Sequence, residues 1–79
     1  ATGNYSSEIF ENLRKLRRQI ADTEKLPAYI VFSDATLKDM AEKLPRTRQQ
    51  MLDVSGVGQI KLEKYGQRFL DLLLQLSMK

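Results

Sequence analysis

The segment LPAYIVFSDATL, residues 26–37, decides the fold that the sequence predicts. Its apolar run up to Phe32 has the composition of a β-strand, because β-branched and aromatic residues favour strands. The rest of the chain offers no second strand to pair with it, and a lone strand would leave its backbone groups without hydrogen bonds. We therefore expect an ordered loop that inserts Ile30 and Phe32 between helices, followed by a helix that Ser33 or Asp34 caps.

Helical spacing of apolar residues dominates the chain on both sides of this segment. The predicted helices run from Ser7 to Lys25, from Ser33 or Asp34 to Leu44, over about one and a half turns after the cap Thr47, and from Gln59 to Ser77. The positions expected to face inward are Ile9, Leu13, Leu16 and Ile20, then Leu37, Met40 and Ala41, then Met51 and Leu52, and finally Leu62, Tyr65, Phe69, Leu72, Leu73 and Leu76. We expect one all-α domain over residues 7–79, with residues 1–6 as a linker or a remnant of cloning.

The chain of 79 residues contains neither cysteine nor histidine. Without cysteine it forms no disulfide and has no thiolate chemistry. Without both residue types it lacks the usual zinc ligands and the commonest general base at neutral pH. The carboxylates form no D-x-D cluster that would hold magnesium. We therefore expect no catalytic residue, no metal and no other cofactor in this domain.

The net charge of +3 permits a polyanionic partner but does not require one. No apolar stretch approaches the roughly 20 residues that a membrane-spanning helix needs, and the N-terminus lacks the apolar core of a signal peptide. We expect a monomer with no membrane partner, in a reducing cytoplasmic or nucleoid setting.

Basic residues of the first predicted helix form a stripe apart from its apolar face. At about 100° per residue, Arg18 lies about 40° and Lys15 about 100° from Arg14, whereas the apolar positions lie about 200–260° away. Lys25 falls on the same line if the helix extends that far, and Arg17 lies nearer the edge of the core. The stripe is either a solvated face that keeps the domain soluble or a set of phosphate contacts.

A second basic stripe on the last predicted helix joins Lys61, Lys64 and Arg68, at the spacing i, i+3 and i+7. No acidic residue shares that row. The residues from 45 to 79 include six basic and three acidic side chains, so this half carries the whole net charge of +3. Two such stripes strengthen the interpretation as phosphate contacts.

The turn Gly56-Val57-Gly58 comes directly before the second stripe. A turn of this kind that opens a helix can present backbone N–H groups to a phosphate, and the turn resembles that of helix-hairpin-helix motifs. It departs from them at Leu62, where a small residue is usual. The alternative is that Gly56 and Gly58 only allow a turn with positive φ.

Tyr29 is the most informative aromatic residue. If Ile30 and Phe32 point inward, Tyr29 is left to face water, close to Lys25. An exposed aromatic side chain there would stack on an unpaired base. The alternative is a half-buried tyrosine that packs under the loop.

Three segments together resemble the HRDC domain, named for helicase and RNase D C-terminal. They are LRKLR at residues 13–17, PAYIVFSDATL at residues 27–37 and MLDVSGVG at residues 51–58. The similarity is closest to the HRDC domain of bacterial RecQ-type DNA helicases and covers roughly residues 8–76.

This resemblance implies a compact five-helix bundle, in which a short helical turn near Tyr29 joins four main helices. It implies a domain tethered behind a helicase motor and a winged-helix domain, in a protein of DNA repair and recombination. It also implies weak binding to single-stranded DNA or to duplexes with a single-stranded overhang. The aromatic of the first inter-helix loop maps onto Tyr29, with Arg18 and Lys25 as its neighbours.

Two other functions stay open at this point. In the first alternative, the chain is a protein-interaction module that docks on its own helicase core or on a partner. In the second, it is the equivalent domain of an RNase D-like exoribonuclease and binds RNA at the site. Steep salt dependence distinguishes a phosphate binder from an apolar docking surface.

Overall fold

The computed structural model of the protein describes residues 7–77 and holds five helices and no β-strand within that range. The helices are α1 (Ser7–Glu24), α2 (Ala28–Val31), α3 (Asp34–Lys43), α4 (Arg48–Leu52) and α5 (residues 59–77). They form the all-α five-helix bundle implied by the resemblance, and α2 is its short helical turn. The predicted linker over residues 1–6 lies outside the described residues, as do residues 78 and 79.

The core forms where α1 packs against α2, α3 and α5, and where α5 packs against α4. Its fully buried side chains include Leu13, Ile20, Val31, Phe32, Leu37, Met40, Met51 and Phe69. The ring of Phe32 lies at the centre of an aromatic cluster, with ring centroids 5.0 Å from Phe69 and 6.2 Å from Tyr65 in edge-to-face geometry. Most of the predicted inward positions are therefore confirmed.

Helix α1 ends one residue earlier than predicted, in a Schellman motif. Lys25 takes a left-handed φ of 58°, the N–H of Leu26 donates to the carbonyl of Ala21 at 2.9 Å, and the N–H of Lys25 donates to Asp22 at 3.3 Å. This arrangement satisfies the last carbonyls of the helix. The expectation that Lys25 continues the stripe along α1 is therefore wrong, because Lys25 lies past the end of the helix.

The segment after Pro27 is a single helical turn rather than a loop. Val31 and Phe32 are buried, whereas Ile30 is 42% exposed. The expectation that Ile30 inserts into the core is wrong, because a helical turn directs Val31 inward in its place. Two buried side chains thus anchor α2 and leave the preceding pair of residues at the surface.

The caps of α3 and α4 are those that the sequence predicts. Ser33 caps α3 by accepting a hydrogen bond from the N–H of Thr36 at 3.2 Å, and Thr47 caps α4 by accepting from Gln50 at 3.1 Å. Helix α3 ends at Lys43, one residue before the predicted Leu44, which adopts a left-handed φ of 50°. The inward position predicted for Leu52 is wrong: it is 38% exposed, because α4 has only five residues and buries Met51 alone.

Helix α5 contains a π-helical turn at Leu62–Gly66. A π turn holds more residues than an α-helical one, so it shifts the register of side chains on either side. Within this turn, a Cβ at Gly66 would lie 2.5 Å from Cδ1 of the buried Leu62, so a larger residue there would displace the Leu62 side chain. The uninterrupted α-helix predicted from Gln59 onward is therefore wrong at this point.

In the described part of the chain, no helix has both the length and the apolar character that crossing a membrane requires.

Candidate nucleic-acid interface

A groove of about 460 Å³ runs along α1 beside the start of α2. Its basic side chains are Arg14, Lys15, Arg17 and Arg18, and Glu11 and Asp22 are its acidic ones. Ala21, Leu26 and Ala28 provide apolar surface. We call it the α1–α2 groove. It contains every residue of the predicted first stripe except Lys25, which lies in the exposed turn after α1.

The cations of this groove differ in how far protein groups already neutralise them. Arg14 forms an ion pair with Glu11 at 3.1 Å, one turn away, and lies 5.8 Å from the centroid of the Phe10 ring. Within residues 7–77, neither Lys15 nor Arg18 forms an ion pair. Lys15 and Arg18 are therefore the cations most available to an external phosphate.

Arg17 has a structural role that sequence reasoning missed. Its Nη1 donates to the carbonyl oxygen of Phe32 at 3.0 Å and forms an ion pair with Asp34 at 2.8 Å. The residue is 9% exposed, and its buried Nε has no hydrogen-bond partner among the described residues. Arg17 therefore ties α1 to the junction between α2 and α3. The spacing of 17 residues between Arg17 and Asp34 belongs to no helical period, so no local pattern would reveal the contact.

Tyr29 is 68% exposed on α2. This exposure agrees with the prediction and rules out the alternative of a tyrosine packed under the loop. Ala28, its neighbour in the chain, lines the α1–α2 groove, whereas Tyr29 is not among the residues that line it. Whether the ring stacks on a base stays a prediction.

The three cations of the second stripe do not share one row. Lys61 is half-buried, with its Nζ 5.8 Å from the centroid of the Phe32 ring. Lys64 and Arg68 lie beyond the start of the π turn and line a groove of about 240 Å³ with Ile20 and Glu24 of α1. The π turn thus separates Lys61 from the other two.

The structure brings the two predicted stripes together at Lys15 and Arg68. Both side chains line a groove of about 440 Å³ between α1 and α5, which we call the α1–α5 groove. Asn12, Leu16, Gln19, Asp71, Leu72 and Gln75 complete its walls. Helix periodicity within α1 or α5 gives no signal for this meeting, because it depends on how the two helices pack.

The turn before α5 is held by an acidic side chain. The carboxylate of Asp39 accepts a hydrogen bond from the N–H of Ser55 at 2.8 Å and pairs with Lys43 at 3.1 Å. The Ser55 N–H has the largest effect and lowers the pKa of Asp39; burial opposes it, and the Lys43 ammonium lowers the pKa further. A phosphate at this turn would meet that fixed negative charge.

The two glycines of the turn have different roles. Gly56 has a φ of 87°, and a Cβ there would overlap Oγ1 of Thr36. Gly58 precedes the first turn of α5 in an extended conformation, and no described atom would contact its Cβ within 4 Å. The packing on α3 accounts for Gly56 without any ligand, and phosphate binding at Gly56 and Gly58 stays a prediction.

Comparison with known proteins gives consistent results. The family model of the HRDC domain matches residues 6–73. The chain is 53% identical over 70 residues to the ATP-dependent DNA helicase RecQ of Haemophilus influenzae, and 48% identical over 75 residues to that of Pasteurella multocida. These similarities cover 89% and 95% of the chain but 11% and 12% of the helicases, so the chain spans about a tenth of their length.

A solved structure shares the fold. It is described as "D. radiodurans RecQ HRDC domain 3" and is similar to this chain with a TM-score of 0.83 and 37% sequence identity. The similarity covers 86% of this chain and 90% of that one.

Proposed function

The chain belongs to the HRDC domain family, and from that premise we propose that it is an accessory domain of a RecQ-type DNA helicase that binds single-stranded or partly single-stranded DNA. Binding is weak and sets the substrate preference of the helicase, whose motor supplies the ATP-dependent activity. The domain acts as a monomer on the DNA of the nucleoid.

The observation that carries this proposal is a groove with unpaired cations beside α2, the short helix that also exposes the Tyr29 ring. Tyr29 is 68% exposed, and Lys15 and Arg18 have no carboxylate partner among residues 7–77. Aromatic rings stack on bases of any sequence, and cations along a groove follow the phosphate backbone. The combination suits a strand whose bases are unpaired and accessible.

A single strand fits this surface better than a blunt duplex. Reading the major groove requires a helix with arginine, asparagine or glutamine side chains directed at base edges. In α1 the exposed basic residues line a groove beside α2, so this face of α1 is flanked by another element and does not stand free to enter a major groove. Because only a few phosphates are neutralised, we expect a dissociation constant of about 1 µM or weaker, in the range of non-specific binding.

A titration with labelled oligonucleotides tests the proposal. The 79-residue chain is titrated against a single strand, a blunt duplex of the same sequence and a duplex with an overhang, at two salt concentrations. The expected order of affinity is single strand and overhang above blunt duplex, with a loss of affinity as salt rises. Equal or tighter binding to the blunt duplex would contradict the proposed preference.

Docking on the helicase core is the second candidate, and exposed apolar side chains favour it. Ile60 is 68% exposed at the start of α5, and Ile30 is 42% exposed on α2. Contact through such residues would depend little on salt, whereas DNA binding through phosphates depends on it steeply. Salt-independent binding to the helicase core, without measurable binding to a single strand, would favour this candidate.

A further inference from the structure

The α1–α5 groove lies next to the surface proposed for DNA, and its two cations, Lys15 and Arg68, form no ion pair among the described residues. We propose, on the premise that the function proposed above is correct, that a single strand longer than the α1–α2 groove continues into the α1–α5 groove. There Lys15 and Arg68 hold a second stretch of its phosphate backbone. The domain then has one curved binding path that passes from α2 across α1 to α5.

Continuity of the path rests on residues that belong to two grooves at once. Lys15 lines both the α1–α2 groove and the α1–α5 groove. Arg68 lines the α1–α5 groove and the smaller groove that holds Lys64. A strand that reaches Lys15 from the side of α2 is therefore already at the edge of the next groove.

The charge of the path is available to a ligand. Among the described residues, Lys15, Lys64 and Arg68 form no ion pair. Asp71 is the acidic residue of the α1–α5 groove, and its Oδ1 accepts a hydrogen bond from Nε2 of Gln67 at 2.8 Å. That bond holds the carboxylate in place, where it opposes a phosphate but leaves the two cations unpaired.

The remaining walls suit a backbone rather than a particular base sequence. Gln19 and Gln75 are exposed amides that donate and accept hydrogen bonds, and Leu16 and Leu72 are half-buried apolar side chains of α1 and α5. Contacts to phosphate and sugar position a strand without reading its sequence. We therefore expect an extension of binding that depends on the length of the strand and not on its sequence.

A length series separates the two grooves. Oligothymidylates of about 5 and about 15 nucleotides bracket the usual site sizes of small single-strand-binding domains, which are about 4–16 nucleotides. The long oligonucleotide is expected to bind the wild-type chain more tightly, with a steeper dependence on salt. For Arg68→Ala, affinity for the long oligonucleotide is expected to fall about three- to tenfold and its salt slope by about 0.7, the contribution of one phosphate contact. Affinity for the short oligonucleotide is expected to stay unchanged.

Two further variants serve as controls. Lys38→Ala removes the same charge from an exposed residue of α3 that has no ion pair among residues 7–77, and it should leave the difference between the two lengths intact. Asp71→Asn keeps an acceptor for Gln67 but removes the negative charge, so it should tighten binding of the long oligonucleotide alone. Thermal melting of each variant verifies that the fold is intact.

The results distinguish this inference from the proposed function. If Arg68→Ala weakens both lengths equally or neither, or if wild-type affinity does not increase with length, the continued path is overturned while DNA binding stands. If the wild-type chain binds neither oligonucleotide, the proposed function fails and the continued path fails with it. Selective loss for the long oligonucleotide in Arg68→Ala, with unchanged Lys38→Ala, supports the path.

Discussion

Two corners of the bundle carry similar residues in the sequence but differ in the structure. At the corner between α1 and α2, Arg18 and Lys15 have no ion pair within the described range, and Tyr29 is exposed. At the turn before α5, the Asp39 carboxylate accepts a hydrogen bond from the N–H of Ser55, and the Lys61 ammonium lies over the ring of Phe32. The cations and the aromatic ring of the first corner are therefore available to a ligand. At the second corner, the Ser55 N–H and the Lys61 ammonium already form contacts within the fold.

This contrast shows that a basic residue near a turn is not by itself a binding group. Arg17 and Arg18 are adjacent in the chain, but Arg17 is 9% exposed with two oxygen partners and Arg18 is exposed with no ion pair in the described part of the chain. The same side-chain chemistry therefore stabilises the fold at one position and is free for a ligand at the next. Substitutions at both corners test this separation.

The two glycines of the turn provide the largest contrast. Gly56→Ala should destabilise the domain by about 2–4 kcal/mol, because a left-handed non-glycine residue and an overlap with a packed neighbour each cost about 1–3 kcal/mol. Gly58→Ala meets no neighbour and should cost less than about 1 kcal/mol at a helix N-cap. Urea unfolding of both variants measures this difference, and equal free energies of unfolding would contradict the structural role of Gly56.

Adjacent arginines should respond in opposite ways to the same substitution. Arg17→Met should lower stability by about 1.5–3 kcal/mol, because it removes a charged hydrogen bond and leaves the carbonyl of Phe32 unsatisfied. Arg18→Met should leave stability unchanged and lower the salt slope of single-strand binding by about 0.7. Thermal melting and oligonucleotide titration are carried out on both. A stable Arg17→Met variant would show that the contact with Phe32 does not hold α2 in place.

Tyr29→Ala tests the corner between α1 and α2 directly. Loss of one stacked base is worth about 1–3 kcal/mol, so affinity for a single strand should fall about tenfold or more while the melting temperature stays nearly unchanged. Lys61→Ala is the matched variant at the other corner, and it should leave affinity for a single strand nearly unchanged, because the Lys61 ammonium lies over the ring of Phe32. If Tyr29→Ala binds like the wild type, the DNA surface lies elsewhere, with the segment from Gly56 to Arg68 as the next candidate.

Acid should weaken the turn before α5 and leave the other corner unaffected. The pKa of Asp39 is lowered from its ordinary value of 3.8, chiefly by the Ser55 N–H and further by Lys43. The ionised carboxylate therefore stabilises the fold above pH 3.8, and this contribution is lost as the pH falls through the lowered pKa. Asp39→Asn should be less stable than the wild type at neutral pH, and the difference should narrow below pH 3.8.

Urea unfolding at several pH values measures how the difference in the free energy of unfolding between Asp39→Asn and the wild type changes with pH. Asp53→Asn is the control, since the Asp53 carboxylate accepts no hydrogen bond and forms no ion pair among residues 7–77. A difference between Asp39→Asn and the wild type that is independent of pH would show that the hydrogen bond to Ser55 does not depend on the charge of Asp39.

Local sequence patterns predicted the four main helices and the caps of α3 and α4. Apolar spacing, Ser33 and Thr47 as caps, and Pro27 and Pro45 as stops act over neighbouring residues, so they are visible without a structure. The exposure of Tyr29 was predicted from Ile30 and Phe32 pointing inward; Tyr29 is exposed, but Ile30 does not point inward, because α2 is helical. The resemblance of three short segments to the HRDC domain then supplied the number of helices.

Which polar groups meet depends on the tertiary structure and is not visible in local patterns. Arg17 reaches Phe32 and Asp34, Lys15 reaches the same groove as Arg68, and the π turn separates Lys61 from its expected row. A helical pattern specifies which side chains share a face, but the packing of one face on another depends on the shapes of all the core residues. The local sequence therefore identified the cations of this domain, whereas tertiary packing determined which of them form contacts within the fold and which remain available to a ligand.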